Sequence, residues 1–165
     1  MCIRQLQVKA IKNIVLFIVG FCIYITIEVC FRGYSFPLMG ICGGVALILN
    51  DKINDCVSWD TDLILQGLFG AVLITTMEFV IGTLALKGFI TPMWDYSNVL
   101  FNYKGIICMP FSAVWALLSI IGIFISDAIN YYLFEEEQCP YYKIFGYVVL
   151  RFKERGCAKK NVGVN

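Results

Sequence analysis

Three stretches of this sequence are apolar over 20 or more residues, and they restrict the possible folds more than any other feature. Residues 11–30 have charged side chains only near their two ends, residues 63–86 have one, Glu78, and residues 105–126 have none. A helix of 20 residues is about 30 Å long, which matches the hydrocarbon core of a bilayer. Only 15% of all residues are charged, whereas a soluble domain has roughly a quarter. The stretches therefore predict transmembrane helices and exclude a soluble enzyme.

A fourth apolar run is weaker than these three. Residues 36–49 contain Pro37 near their start and glycines at positions 40, 43 and 44. Extending the run to residues 33–50 gives 18 residues without a charge. The segment either crosses the membrane or enters it and returns, and a returning segment is tolerated only where other helices shield its backbone. We favour a full crossing.

The distribution of positive charge indicates the orientation. Of the 13 lysine and arginine residues, three precede the first apolar run and six follow Glu137. Basic residues accumulate on the cytoplasmic side, so both tails are expected there, and this requires an even number of crossings. The loop at residues 51–62 opposes this orientation with four Asp and one Lys, although acidic residues have little weight. We therefore predict an all-α, polytopic four-helix transmembrane bundle in the cell (plasma) membrane, with N-terminus and C-terminus cytoplasmic.

We divide the chain into a transmembrane domain, residues 1–134, and a cytoplasmic basic tail, residues 135–165. Within the tail, apolar residues recur at helical spacing among basic ones, namely Ile144, Phe145, Val148, Val149 and Phe152. This pattern is compatible with a helix that lies in the membrane interface against anionic lipid. It is equally compatible with a partly disordered tail that only fixes the topology. Residues 156–165 are expected to be disordered.

Small residues form stripes at helical spacing on the apolar runs. The stripes consist of Gly67, Ala71, Thr75, Glu78 and Gly82 on the third run, Ser112, Ala116, Ser119, Gly122 and Ser126 on the fourth, and Gly40 and Gly44 on the second. Small residues let the backbones of membrane helices approach closely. The stripes therefore predict tight helix packing rather than the lining of a pathway.

Glu78 is the one ionisable residue in the middle of an apolar run. An ionised carboxylate near the bilayer midplane costs at least about 3 kcal/mol on insertion scales, so this group must be protonated, paired or hydrated. One interpretation is a neutral acid that hydrogen-bonds to Tyr24 or Ser119 and fixes helix register. The other is a ligand for an ion, a proton or a substrate.

Further polar residues are expected close to Glu78. Glu28 and Arg32 are four residues apart, the spacing at which side chains meet on a helix. The connection before the last apolar run is rich in hydrogen-bonding side chains, and with a cytoplasmic N-terminus it lies on the same side as Arg32. The predicted polar site, in the outer half of the bundle, consists of Glu28, Arg32, Glu78, Trp94, Asp95, Tyr96, Ser97 and Asn102.

At these residues the sequence resembles a family of small bacterial membrane proteins, the Putative ABC-transporter type IV or CmpB-like family. The resemblance rests on Glu28, Arg32-Gly33, Met39-Gly40, Glu78 with Gly82, Trp94-Asp95-Tyr96-Ser97, Asn102, Gly105, Ser112 and Trp115. It runs from about Tyr24 to Phe134 and implies a transport role. It also supports Glu28, Arg32, Glu78, Trp94, Asp95 and Asn102 as a set, without saying what they bind.

Several chemistries find no support in the sequence. There is no histidine, which removes the commonest general base and metal ligand. The eight cysteines show no C-x-x-C or metal-ligand spacing, so no cofactor or metal is expected, and the net charge of +1 argues against nucleic acid. No G-x-x-x-x-G-K-[ST] pattern is present, so an ABC role requires a separate ATPase.

These observations favour a transport-type membrane subunit surrounded by membrane lipid. Four helices are few for a permease, so we expect the chain to form a homo-oligomer or to bind a partner membrane subunit. The first alternative is a non-catalytic membrane interaction protein, in which the small-residue stripes bind partner helices. The second is a membrane-embedded enzyme that acts on a lipid-type substrate with two carboxylates as acid and base. The enzyme is the weakest of the three because no nucleophile lies beside a base.

Overall fold

The computed structural model describes residues 2–58, 60–135 and 139–153. These residues form four long helices and two short antiparallel hairpins. In chain order the elements are α1 (Cys2–Arg32), α2 (Pro37–Cys56), α3 (Leu63–Leu86), β1 (Asn102–Tyr103), β2 (Ile107–Cys108), α4 (Met109–Tyr132), β3 (Tyr141–Ile144) and β4 (Tyr147–Arg151). Strand β1 pairs with β2, and β3 pairs with β4.

Local sequence determines where the helices begin and end. Helix α1 stops at Gly33, which has a φ of +80° that only glycine adopts without strain. Helix α2 starts at Pro37, at the first helical position, where the missing N–H costs nothing. Asp62 caps α3 by accepting a hydrogen bond from the backbone N–H of Ile64 at 2.9 Å. Helix α3 has the bounds of the predicted third span.

Three of the helices in the described part of the chain are long and apolar enough to cross a membrane. They cover residues 6–32, 63–86 and 109–132. Helix α2 is not among them, and its second half contains Asp51 and Lys52. The protein is therefore a predominantly helical membrane protein, and a fourth crossing by α2 stays a prediction.

The helices pack in two pairs, α1 on α2 and α3 on α4, and α2 joins the pairs through contacts with α3 and α4. Glycines permit the close approach. A Cβ atom at Gly44 would lie 2.6 Å from the ring of Phe17, and one at Gly67 would lie 3.0 Å from the carbonyl oxygen of Ala116. The prediction of tight packing is thus confirmed for these glycines of the small-residue stripes.

The fourth apolar helix is shifted relative to its predicted bounds. The run at residues 105–126 predicted its start too early, because the backbone around Gly105 turns to pair β1 with β2. Helix α4 begins only at Met109, and it continues past Ser126 to Tyr132. Its last turns therefore include Asp127, which the prediction had placed outside the span.

Residues 141–151 form a β-hairpin where an interfacial helix or a partly disordered tail was expected. Phe145 and Gly146 both have positive φ, +51° and +82°, which is typical of the two-residue turn that suits a hairpin. Tyr142 of β3 is buried against Leu63 and Ile123. The chain is therefore not all-α, and the predicted disorder at residues 156–165 lies outside the described residues.

Successive helices run in opposite directions, so the molecule has two ends. We call the end with Arg32, the start of α2 and residues 87–108 the loop end. The end with Lys12, Asp51 and the β3–β4 hairpin is the hairpin end. Each end is held together by a contact between distant residues. Arg32 contacts Met93 at the loop end, and Lys12 contacts Asp51 at the hairpin end.

Candidate functional site

Arg32 fastens the connection after α3 to the end of α1. Its Nη2 donates a hydrogen bond to Glu28 Oε2 at 2.6 Å, and its Nη1 donates to the carbonyl oxygen of Met93 at 2.8 Å. The hydroxyl of Ser35 donates to the same Glu28 oxygen at 2.8 Å. The predicted ion pair between Glu28 and Arg32 is present, and it fixes the position of residues 87–101.

Three of the predicted site residues shape the loop and lie apart from Glu78. Asp95 Oδ1 accepts hydrogen bonds from the hydroxyl and, at 2.8 Å, the backbone N–H of Ser97, and these bonds hold the pKa of Asp95 below its ordinary value. Asn102 Nδ2 donates to the carbonyl oxygen of Val99 at 2.8 Å, and its Oδ1 accepts from the N–H of Gly105 at 3.1 Å. All three side chains are exposed.

Glu78 is buried within α3 and has one satisfied oxygen. Tyr96 donates a hydrogen bond from its hydroxyl to Glu78 Oε1 at 3.0 Å. Glu78 Oε2 has no hydrogen-bond partner in the described part of the chain, and neither has the indole N–H of Trp115, which lines the same cleft. The hydrogen bond that was predicted from Tyr24 or Ser119 is thus formed by Tyr96.

Aromatic packing holds the donors around Glu78 in place. The ring of Tyr96 stacks on Phe111 with centroids 4.7 Å apart, and Tyr24 stacks on Trp115 with centroids 6.2 Å apart. Burial, followed by the charge of Glu78, raises the pKa of the Tyr96 hydroxyl. Tyr96 therefore stays protonated and remains a hydrogen-bond donor throughout the physiological range.

A cleft of about 210 Å³ lies between the helices and reaches Glu78. Its wall is mainly apolar and comes from all four helices and from Trp94, whose indole N–H donates to the carbonyl oxygen of Ile106 at 2.8 Å. Lining side chains include Ile23, Tyr24, Ile27, Met39, Asn50, Ile74, Met77, Ile81, Trp115, Leu118, Ile121 and Ile125. The structure therefore brings Glu78, Trp94 and Tyr96 together near this cleft, with Glu28 and Arg32 supporting the loop that carries the two aromatic residues.

A second polar cluster, at the hairpin end, was missed by the sequence analysis. Asp51 is buried and accepts a hydrogen bond from Asn130 Nδ2 at 2.6 Å. It also forms ion pairs with Lys12 at 3.3 Å and Lys52 at 2.9 Å. The cluster joins α1, α2 and α4. The signal for this cluster was the polar residues Asp127 and Asn130, which are three residues apart and directly follow the uncharged run at 105–126.

The side chain of Asn50 is inserted between α3 and α4. A Cβ atom at Gly70 would lie 2.7 Å from Asn50 Oδ1 and 2.4 Å from Ser119 Oγ, and one at Gly122 would lie 2.9 Å from Asn50 Nδ2. Two glycines on neighbouring helices therefore make room for one amide. Asn50 also lines the cleft, so the cleft has a polar group at each end, Glu78 at one and Asn50 at the other.

These long apolar helices, with polar groups buried between them, define an integral membrane protein. The chain belongs to the family described as Putative ABC-transporter type IV, since the model of that family matches residues 22–152. This confirms the resemblance and extends it through the β3–β4 hairpin. Searches of curated proteins and of solved structures gave no significant match.

Proposed function

We propose that the protein is a membrane subunit of a transport system and that the cleft beside Glu78 is its ligand site. The observation that carries this proposal is the buried carboxylate with one unpartnered oxygen, Glu78 Oε2. Buried polar atoms are nearly always hydrogen-bonded in native proteins, and ionisable groups inside membrane spans commonly belong to substrate or ion pathways. The family name links the chain to transport.

The loop end has features that suit a ligand site. Arg32 fixes the backbone at Met93, and the next residues supply the indole of Trp94 and the hydroxyl of Tyr96. Groups that are held in place before binding lose little conformational entropy when a ligand arrives. In this proposal the loop end faces outwards, and both chain termini lie in the cytoplasm of the cell.

ATP hydrolysis is assigned to a separate subunit, because the sequence has no phosphate-binding loop of its own. To test this, the tagged chain is purified in mild detergent from its native membranes, and co-purifying proteins are assayed for ATP hydrolysis. We expect an ATP-hydrolysing partner to co-purify. Absence of such a partner would contradict the transport role and favour an interaction protein.

The role of Glu78 is tested in the same complex with Glu78→Gln, which keeps the shape of the side chain and removes its charge. We expect the variant to retain the partner but to lower ATP hydrolysis in nanodiscs made with native lipid. Glu135→Gln is the control, since Glu135 is exposed beyond the end of α4. Equal hydrolysis in the two variants would show that Glu78 is not part of a ligand site.

A further inference from the structure

The cleft is open on the side that faces the hydrocarbon of the bilayer. Helix α1 packs on α2 and makes few contacts with α4, and the cleft residues on both sides of this gap are exposed, Ile23 and Ile27 on α1 and Ile121, with 51% of its surface, on α4. These side chains lie within membrane-spanning segments. A ligand can therefore enter the cleft sideways from the lipid phase, past the Tyr24–Trp115 stack that joins α1 and α4.

The chemistry at the Glu78 end of the cleft suits a ligand that donates a hydrogen bond. Tyr96 donates to one oxygen of Glu78, and Glu78 and Trp115 both line the cleft. A carboxylate has about four acceptor sites on its two oxygens, so Glu78 Oε2 has room for a ligand donor in addition to any hydrogen bond from Trp115. No ion pair among the described residues involves Glu78, so a positive charge on the ligand would be its first counter-ion.

The size of the cleft restricts the apolar part of the ligand. A volume of about 210 Å³ exceeds the roughly 150 Å³ of an engineered apolar cavity that binds benzene, but it is below the range of about 300–1,000 Å³ for drug-sized ligands. The space therefore suits one hydrocarbon chain better than a two-chain lipid or a large ring system.

We propose that the ligand is a single-chain amphiphile with an ammonium head group, which enters from the bilayer and places its head group on Glu78. This proposal rests on the proposed function. The hydrocarbon chain lies along the cleft, where it replaces contacts with lipid tails at little cost. The ammonium group donates to Glu78 Oε2 and neutralises the carboxylate. Binding itself needs no ATPase partner.

The test uses photo-crosslinking in nanodiscs of phosphatidylcholine. The probe is dodecylamine with a diazirine on its chain, and matched probes carry a hydroxyl or a sulfate head on the same chain. We expect the amine to label peptides around Tyr24 and Trp115, and excess unlabelled dodecylamine to remove this labelling. Labelling by the sulfate probe should be at least tenfold weaker, and equal labelling by all three probes would overturn the proposal.

Two variants locate the binding site. Glu78→Gln should lower amine labelling at least tenfold, and Ala46→Phe should abolish it by filling the cleft, which Ala46 lines. Ala113→Phe is the matched control, because Ala113 is exposed on α4 and does not line the cleft. If labelling is unchanged in Ala46→Phe, the amphiphile does not occupy the cleft.

The two experiments distinguish a wrong ligand class from a wrong transport role. If an ATPase co-purifies and Glu78→Gln lowers hydrolysis while no amphiphile labels the cleft, the transport role stands and the ligand class is wrong. If the amine labels the cleft and no ATPase co-purifies, the ligand class stands and the transport role is wrong.

Discussion

Replacing Asp51 with asparagine removes the negative charge that holds three helices together at the hairpin end. In the native protein this carboxylate pairs with Lys12 and Lys52 and accepts from Asn130. Breaking a buried ion pair by removing one partner costs about 3–5 kcal/mol. The Lys12 side chain is only 13% exposed, whereas that of Lys52 is 42% exposed and can turn to water. Lys12 takes part in a further interaction as well, so we expect a loss below this range: Asp51→Asn should lower the free energy of unfolding by about 1.5–3 kcal/mol, the contribution of a hydrogen bond to a charged group.

The measurement is denaturation in mixed detergent micelles, followed by far-ultraviolet circular dichroism. Asp60→Asn is the control, since Asp60 also pairs with a lysine but its side chain is 68% exposed, and exposed pairs contribute little. A double-mutant cycle with Lys12→Met isolates the pair. Removing both charges should be less destabilising than the sum of the two single changes, with a coupling of about 1–3 kcal/mol.

A small effect of Asp51→Asn would show that its ion pairs do not stabilise the fold. If Asp51→Asn unfolds at the same detergent fraction as Asp60→Asn, the carboxylate does not hold a buried cation. If the cycle with Lys12 shows no coupling, the loss comes from Asn130 or Lys52 instead.

Three further outcomes are expected. Tyr142→Phe should weaken docking of the β3–β4 hairpin by about 1.5–3 kcal/mol, because the buried hydroxyl donates a hydrogen bond to Asp127 at 2.6 Å. Hydrogen exchange of the β3 amides measures the docking, and unchanged protection of β3 would contradict the prediction. Lys143 and, to a lesser extent, the neighbouring tyrosine hydroxyl lower the pKa of Asp60. Because this carboxylate is exposed, protection of the hairpin should decline only slightly as the pH falls below about 4. Asp60→Asn should reduce this decline, and an equal decline in the variant would count against the contribution of Asp60. Arg32→Lys should speed hydrogen exchange in residues 93–97, since lysine lacks the planar guanidinium that reaches two acceptors at once. Exchange at the native rate would show that the loop holds its position without the contact between Arg32 and Met93.

The sequence predicted the elements that depend on local composition. Helix α3 has the predicted bounds, because residues 63–86 are apolar throughout except for Glu78. The pairing of Glu28 with Arg32 follows from their spacing on one helix. The family resemblance is confirmed. Whether the predicted polar residues bind a ligand stays a prediction.

Features that depend on contacts between distant segments could not be predicted. Nothing local indicates that Tyr96, rather than Tyr24, reaches Glu78, because that choice depends on how the loop folds back over α3. The apolar pattern at residues 144–152 fits a helix and a strand equally well over so short a run. Gly146, with its positive φ, and the docking of Tyr142 on the helices determine the hairpin.

In the proposed orientation, with a cytoplasmic N-terminus, the end of α1 with its ion pair crosses the membrane during insertion. Glu28 and Arg32 are one helical turn apart, so their charges cancel as soon as this turn forms, and the pair can pass through hydrocarbon at a lower cost than either charge alone. Met93 is 61 residues further along the chain and emerges from the ribosome roughly 3–12 s later at 5–20 residues per second. In that orientation the same guanidinium first lowers the cost of inserting α1 and then, seconds later, binds the loop at Met93.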